Sequence, residues 1–183
     1  MKRLFVAIPL TATIRNHINK FSTTLKKIDL DGNFVKTENL HLTLKFLGNI
    51  DEKNISSICQ TIEQTIINLP KFSAAIKHVG VFPSIDRIQT IWIGVESKEM
   101  ITLTQTIQTA LNSIRPEEHQ TIIPHLTVLR IKSEKNHLLL QTAIKPWQNV
   151  EFGTLRVDKL ILYESILTPI GPKYTVLKEF KLN

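Results

Sequence analysis

Two tripeptides repeat in this chain, His41-Leu42-Thr43 and His125-Leu126-Thr127. In an extended strand, residues i and i+2 point to the same side. His41 and Thr43 therefore share one face with Leu42 on the other, and His125, Thr127 and Leu126 repeat the arrangement. If two such strands face each other, one cleft receives two imidazoles and two hydroxyls. Two histidines with ordinary pKa values near 6.5 can divide labour, one neutral and accepting a proton, the other charged and donating one. Such a pair gives a bell-shaped rate profile, expected between about pH 6 and 8 for unperturbed imidazoles. Threonine hydroxyls donate hydrogen bonds to phosphoryl oxygens. The set suits cleavage of a phosphodiester without a metal.

A single His-x-Thr means little. With 6 His and 19 Thr in 183 residues, roughly 0.6 matches arise by chance, and requiring Leu between them lowers this to about 0.07. Two copies at matching points of a repeated order are much rarer still. The competing structural account is a pair of half-buried strand histidines with β-favouring neighbours. A histidine metal site is a further alternative, but no Asp or Glu lies within two residues of His125 to complete a ligand set.

The elements that must carry these residues follow from periodicity. Leu4 to Ile8 reads as a buried strand ended by Pro9. Ile14, Ile18, Phe21, Leu25 and Ile28 lie on one helix face, with Thr11 or Thr13 as its cap. Asp31-Gly32-Asn33 reads as a turn, and Leu40 to Leu47 as a strand closed by Gly48-Asn49. Asp51 caps a helix with Ile55, Ile58, Ile62, Ile66 and Leu69 inward. Phe72 to Val81 and Arg87 to Val95 are strands joined through Phe82-Pro83-Ser84. Ser97 caps a third helix through Ile114, and Pro116 with its charged neighbours forms a loop. Ile122 to Ile131 is a strand, and Ser133 to Ile144 a fourth helix. Phe152 to Tyr163 and Tyr174 to Leu182 are strands joined by the loop Thr168 to Pro172. Helix, turn, strand and capped helix occur in that order in each half, so the expected class is α+β, with residues 1–183 forming one bilobal domain.

Composition sets the outer bounds. Hydrophobic residues make up 42% and charged residues 21%, as in an ordinary globule with enough apolar surface to offset ordering entropy. Cys59 has no partner, which removes internal disulfides and thiolate zinc sites. Charges of 23 Lys+Arg against 16 Asp+Glu leave +7 with His neutral, which suits an anionic ligand such as RNA and equally suits plain solubility. Nothing approaches the roughly 20 apolar residues of a membrane span, and Met1 to Asn16 lacks a secretory pattern. A cytoplasmic protein with no cofactor, no membrane contact and no obligate protein partner is expected, as a monomer.

At this point the sequence resembles the 2H phosphoesterase superfamily, and within it the RNA 2′,3′-cyclic phosphodiesterase branch, also called 2′-5′ RNA ligase or LigT-like. The resemblance rests on Arg3 to Ile8, on Glu38 to Gly48 around the first tripeptide, and on Gly80 to Pro83 followed by Ile91-Trp92. It continues through Pro124 to Arg130 around the second tripeptide and Leu162 to Tyr174 near the end. Phe34 and Ile122 stand where the family often has Trp and Phe. The resemblance implies two antiparallel sheets with outer helices around a central cleft, related by a pseudo-two-fold repeat. It implies hydrolysis of a 2′,3′-cyclic phosphate at an RNA end to a 2′-phosphomonoester, with 2′-5′ ligation as an accompanying activity. His41 would be the proton donor and His125 the proton acceptor. Thr43, Thr127 and Arg130 would hold phosphate, and Phe46 would pack near the nucleoside.

Strand geometry raises an objection to two of these residues. Phe46 is His41+5 and Arg130 is His125+5, an odd offset that sends a side chain to the opposite face of a regular strand. A bulge or an early strand end would bring them round. By the same parity Lys45 falls on the cleft face, where it also reads as an edge lysine. His17, His78, His119 and His137 lack a Thr two residues on. Trp92 reads as core or as a stacking surface, Trp147 as a packing plug, and Tyr174 as core with reach to the cleft. Two other functions stay open: a related enzyme acting on another cyclic nucleotide, and a module that binds RNA or nucleotides without turnover.

Overall fold

The computed structural model describes residues 1–116, 122–169 and 171–183. The loop expected after Pro116, His119 within it, and Ile170 lie outside the described residues. The strands are β1 (Lys2–Pro9), β2 (Gly32–Phe34), β3 (His41–Ile50), β4 (Phe72–Ser84), β5 (Arg87–Glu96), β6 (His125–Ile131), β7 (Glu151–Val157), β8 (Lys159–Thr168) and β9 (Gly171–Lys181). The helices are α1 (Ala12–Leu25), α2 (Ile55–Ile66), α3 (Lys98–Ala110) and α4 (His137–Ile144). They build a bilobal α+β fold. One antiparallel sheet has the order β3-β1-β8-β9 and the other β2-β6-β5-β4-β7. A pseudo-two-fold is visible in these orders: β3, β1, β8 and β9 correspond to β6, β5, β4 and β7, and β2 is an added edge strand.

Helix placement interlocks the lobes. α1 follows β1 of the first sheet but packs against β7 of the second and against α4. α3 follows β5 of the second sheet but packs against β3 of the first and against α2, which itself lies on β9. Thr11 caps α1 by accepting from the Ile14 N–H, and Ser97 caps α3 by accepting from the Met100 N–H. Alternation sorts β1: Leu4, Val6 and Ile8 join the common core, whereas Phe5 and Ala7 are buried without joining it and face the cleft side.

Several sequence expectations change. Phe82 to Ser84 and Thr168 with Gly171 and Pro172 are not loop but paired strand ends, and the third helix stops at Ala110, short of Ile114. Gly32 to Phe34 is no turn but an edge strand, paired Gly32↔Ile131, Asn33↔Arg130 and Phe34↔Leu129. Glycine is required by contact here, since a Cβ would stand 2.8 Å from the Arg130 carbonyl oxygen. The fourth helix starts at His137, not Ser133, because Asn136 is left-handed at φ 56° and ends any helical run before it. Phe152 to Tyr163 is two strands, one in each sheet, with only Asp158 between them. The alternation of Leu155 and Val157 gives way at Asp158-Lys159 to the continuous run Leu160-Ile161-Leu162, but a two-residue polar break does not say which sheet the chain enters next. Asp51 accepts from the Lys53 N–H and caps a short 3-10 turn, Glu52–Asn54, that leads into α2.

The odd-offset objection is answered by register. Across β1 and β3 the pairs run Ala7↔Thr43 and then Val6↔Lys45, leaving Leu44 without a partner. Across β5 and β6 they run Trp92↔Thr127 and then Ile91↔Leu129, leaving Val128 without one. Each strand therefore carries a bulge at the third residue after its histidine. A bulge reverses the alternation downstream, so Phe46 returns to the face of Thr43 and Arg130 to the face of Thr127. Both strands show the same burial series over six residues, with the +3 and +4 side chains buried and the +5 side chain exposed. The same reversal sets Lys45 opposite buried Val6 and buries it, so it is no exposed edge lysine, yet it still lines the cavity between the sheets.

A bulge frees a backbone carbonyl, which must find a donor. The Val128 carbonyl accepts from the Val35 N–H at 2.9 Å, just beyond β2. β3 is an edge strand, and there the Gln108 Nε2 of α3 donates to the Leu44 carbonyl at 3.3 Å. Gln108→Leu should leave that carbonyl unpaired and cost about 1–3 kcal/mol. Urea unfolding reads this as a lower midpoint at unchanged slope, and an unchanged midpoint would show that the bulge does not need this donor.

Candidate active site

His41 and His125 are the first residues of β3 and β6, where each chain enters its sheet. Both make the same contact with the backbone two residues upstream. The His41 Nδ1–H donates to the Asn39 carbonyl at 2.6 Å, and the His125 Nδ1–H to the Ile123 carbonyl at 2.7 Å. A carbonyl only accepts, so Nδ1 keeps its proton and Nε2 is left as the working nitrogen. Neutral, Nε2 accepts a proton; charged, it donates one. The tether thus prepares both rings for either role.

Aromatic walls hold the rings. The Phe5 ring lies 4.8 Å from His41, and Tyr174 meets His41 edge-on at 5.2 Å. Across the cleft, Phe82 meets His125 edge-on at 5.2 Å, and Trp92 lies 6.1 Å away. Trp92 is therefore not simple core: it sits opposite Thr127 on the cleft-facing side of β5. Its indole occupies the space where a Gly80 Cβ would stand. Burial among these groups lowers the pKa of both histidines below 6.5. For His41 the hydrogen bond to Asn39 opposes this. For His125 the bond to Ile123 opposes it and the Arg130 charge adds to it.

A cavity of about 390 Å³ joins the two sheets. His41, Thr43 and Phe46 of β3 line it together with His125, Thr127 and Arg130 of β6. All six residues singled out in the sequence thus meet in one place. Phe46 is 51% exposed at the mouth, with its ring 6.0 Å from Phe5, so it offers a free aromatic face instead of core packing. Ile122 is part of the wall as well.

Pattern reading passed over Asn39, Thr104 and Gln108, which also line the cavity, and Tyr174 of β9 reaches it as its place near the last loop allowed. Asn39 is the most connected of them. Its carbonyl holds His41, and its side-chain Nδ2 donates to the Pro172 carbonyl at 2.8 Å, tying the β8–β9 hairpin and Tyr174 to the start of β3. The only sequence signal for it was its place two residues before His41.

The sequence matches the family profile of the 2′-5′ RNA ligase superfamily over residues 11–166. The chain belongs to that superfamily. It is 37% identical to the RNA 2′,3′-cyclic phosphodiesterase of Methanothermobacter thermautotrophicus over 98% of each chain. It is 33% identical to the protein of that name from Methanocaldococcus jannaschii, over 97% of this chain and 99% of the relative. Among solved structures it resembles TT0787 of Thermus thermophilus, with a TM-score of 0.82 at 25% identity over 98% and 97% of the two chains. It also resembles E. coli LigT complexed with 3′-AMP, with a TM-score of 0.81 at 25% identity over 100% and 98%.

The other described histidines serve the fold of this superfamily member away from the cavity. His17 donates to the Phe152 carbonyl, His78 bonds the Gln148 carbonyl and Glu96, and His137 contacts the Ile85 carbonyl. Among the described residues no three His, Cys, Asp or Glu side chains gather as a metal-binding group, and no helix is long and apolar enough to cross a membrane.

The lowered pKa values move the expected pH profile. The acid limb of kcat/KM reports the free enzyme's base losing its proton, and the alkaline limb reports its acid losing one. With both groups below 6.5, the kcat/KM bell should centre below pH 6.5, not between 6 and 8. A bound phosphate anion raises both imidazoles, so the kcat bell should lie on the alkaline side of the kcat/KM bell. Steady-state kinetics across pH check both, and a kcat/KM bell centred above pH 7 would contradict the burial argument.

Proposed function

We propose that this protein is a phosphoric diester hydrolase that opens 2′,3′-cyclic phosphates at RNA ends to 2′-phosphomonoesters. One observation carries the reading: two His-Leu-Thr strands meet in a single cavity, each with its imidazole proton fixed on Nδ1 and its Nε2 left to work. The names of the full-length relatives support the same activity. Residues 1–183 act in it as one bilobal unit, which we place in the cytoplasm as a monomer.

In the proposed step, His125 Nε2 takes a proton from water as the water oxygen bonds to phosphorus. The P–O3′ bond breaks, and His41 Nε2 gives its proton to the departing O3′. The 2′-phosphate remains. His41 ends neutral and His125 charged, and proton exchange with solvent resets them. Thr43 and Thr127 donate hydrogen bonds to the non-bridging oxygens. Arg130 forks onto the phosphate, where its charge counts most as negative charge builds on phosphorus. The exposed face of Phe46 packs on the terminal nucleoside. These steps use side chains of this chain alone, so turnover should persist in EDTA.

The deciding assay incubates the protein, in EDTA, with an oligoribonucleotide ending in a 2′,3′-cyclic phosphate and identifies the product. A terminal 2′-phosphate is expected; a 3′-phosphate would reverse the regiochemistry, and unchanged substrate would leave a binding module. His41→Ala and His125→Ala should each cost on the order of 10² to 10⁴ in rate. The first should erase the alkaline limb and the second the acid limb, and the opposite pattern would exchange the two roles.

Arg130→Ala should raise KM and lower kcat by about 10² or more, as loss of a donor to a developing anion does. Arg130→Lys should recover only part of it, because an ammonium lacks the planar fork. Wild-type kinetics in Arg130→Ala would place the guanidinium outside the reaction despite the bulge.

A further inference from the structure

A second cavity, of about 450 Å³, opens next to the first and shares Arg130 with it. Its walls are the start of β5, Arg87 to Thr90, and the end of β6 with its continuation, Arg130 to Glu134. Thr90 and Arg130 are register partners at the boundary between the two cavities. Beyond them β5 and β6 no longer pair: Lys132 N–H donates to the Asp31 carbonyl instead, and the chain turns away towards α4. The opening between the parting strands is the cavity.

Its chemistry is cationic. Arg87, Arg130 and Lys132 line it against the single carboxylate of Glu134, and among the described residues none of these four is in an ion pair. The hairpin neighbour Asp86 and the edge neighbour Asp31 do not line it, and Asp29 is taken up by Lys135 at 2.6 Å. Spacing fits a polymer. With one bulge between them, Thr127 and Arg130 lie two pairing steps apart, about 7 Å along the strand, and Lys132 lies about 7 Å further on. Each interval is comparable with one nucleotide of extended backbone. A cyclic phosphate sits at the 3′ end of RNA, so the rest of the polymer must leave the cleft from the 5′ side of the terminal nucleoside. The shared arginine marks a cationic exit.

We propose that this second cavity is a subsite for the RNA backbone immediately 5′ of the terminal nucleotide, held by Arg87 and Lys132, with Arg130 bridging its phosphate and the cyclic one. The proposal rests on the activity proposed above and makes polymeric RNA ends, not mononucleotides, the preferred substrate class. Glu134 rims the cavity and repels further anions, which limits the subsite to the two phosphates 5′ of the terminal nucleoside that the three cations can face.

The test compares kcat/KM for adenosine 2′,3′-cyclic phosphate, its 5′-phosphorylated form, and a triadenylate ending in a 2′,3′-cyclic phosphate. The triadenylate should be preferred over the mononucleotide by about tenfold or more. Arg87→Ala with Lys132→Ala should remove most of that preference and leave the mononucleotide within about twofold of wild type. It should also flatten the log–log salt dependence for the triadenylate by roughly 0.7 per lost phosphate contact. Three results would overturn the proposal: no preference for the triadenylate, an equal loss on both substrates, or a 5′-phosphorylated mononucleotide that gains as much as the triadenylate. The last would make the cavity a single-phosphate pocket. If no substrate turns over, the hydrolase reading fails by itself. The subsite is then judged on the affinity for a triadenylate ending in a 2′-phosphate, measured by fluorescence anisotropy: weaker binding by the double variant sustains it, and an unchanged Kd overturns it.

Discussion

A β-strand sends successive side chains to opposite faces, and the cleft of this protein depends on interrupting that rule just after the histidine of each of two strands. The interruption falls at Leu44 in β3 and Val128 in β6, three residues after each histidine. Without it, His41 and Thr43 would share a face that Phe46 could not reach, and Arg130 would point away from His125 and Thr127. The two sheets solve the resulting carbonyl problem with different donors. The central position of β6 lets the chain after β2 supply the Val35 N–H. The edge position of β3 leaves room only for a side chain, Gln108. The added strand β2 and the cleft-facing side of α3 are thus parts of the site as much as of the fold.

The interlock of the lobes follows the same economy. Because α1 and α3 each pack on the lobe their own strand does not belong to, neither sheet can move far without dragging a helix of the other. The proposed mechanism, with its acid on one sheet and its base on the other, needs that restraint, since donor and acceptor must keep their separation through the step. The hairpin of β8 and β9 adds a third point of control: the Asn39 side chain fixes the Pro172 carbonyl and sets Tyr174 edge-on to His41.

Electrostatics sets a tension at the centre. Burial favours neutral imidazoles, yet one of the pair must be charged at the start of the proposed step. The carbonyls of Asn39 and Ile123 offset part of the penalty by stabilising the charged ring. The remainder falls to the substrate, whose phosphate brings negative charge into the cavity between the rings. Arg130 works in the other direction on His125, which suits a group asked to act as a base.

The sequence by itself carried the pattern behind the proposed chemistry and determined most of the elements. The doubled His-Leu-Thr, the strand and helix periods, and the caps at Thr11 and Ser97 are local patterns, and local patterns are written in neighbouring residues. What it left open is what depends on partners distant along the chain. Whether β3 and β6 carry a bulge is decided by what pairs with them and what can receive the freed carbonyl, so parity alone could not show that Lys45 is buried and could only pose the question of Phe46 and Arg130. Turn-like composition at Gly32 hid an edge strand, because the ladder to β6 and the close approach to Arg130 outweigh local preference. The run from Phe152 to Tyr163 concealed a crossing between sheets, since the short polar break at Asp158-Lys159 does not say which sheet the chain enters next. Gln108 and Tyr174 join the site through contacts made across the fold, and Asn39 adds to its local bond with His41 a distant one to Pro172. Tertiary structure decides such contacts because a hydrogen bond or ring contact needs the partner's position, and that position belongs to the packed molecule, not to the residue.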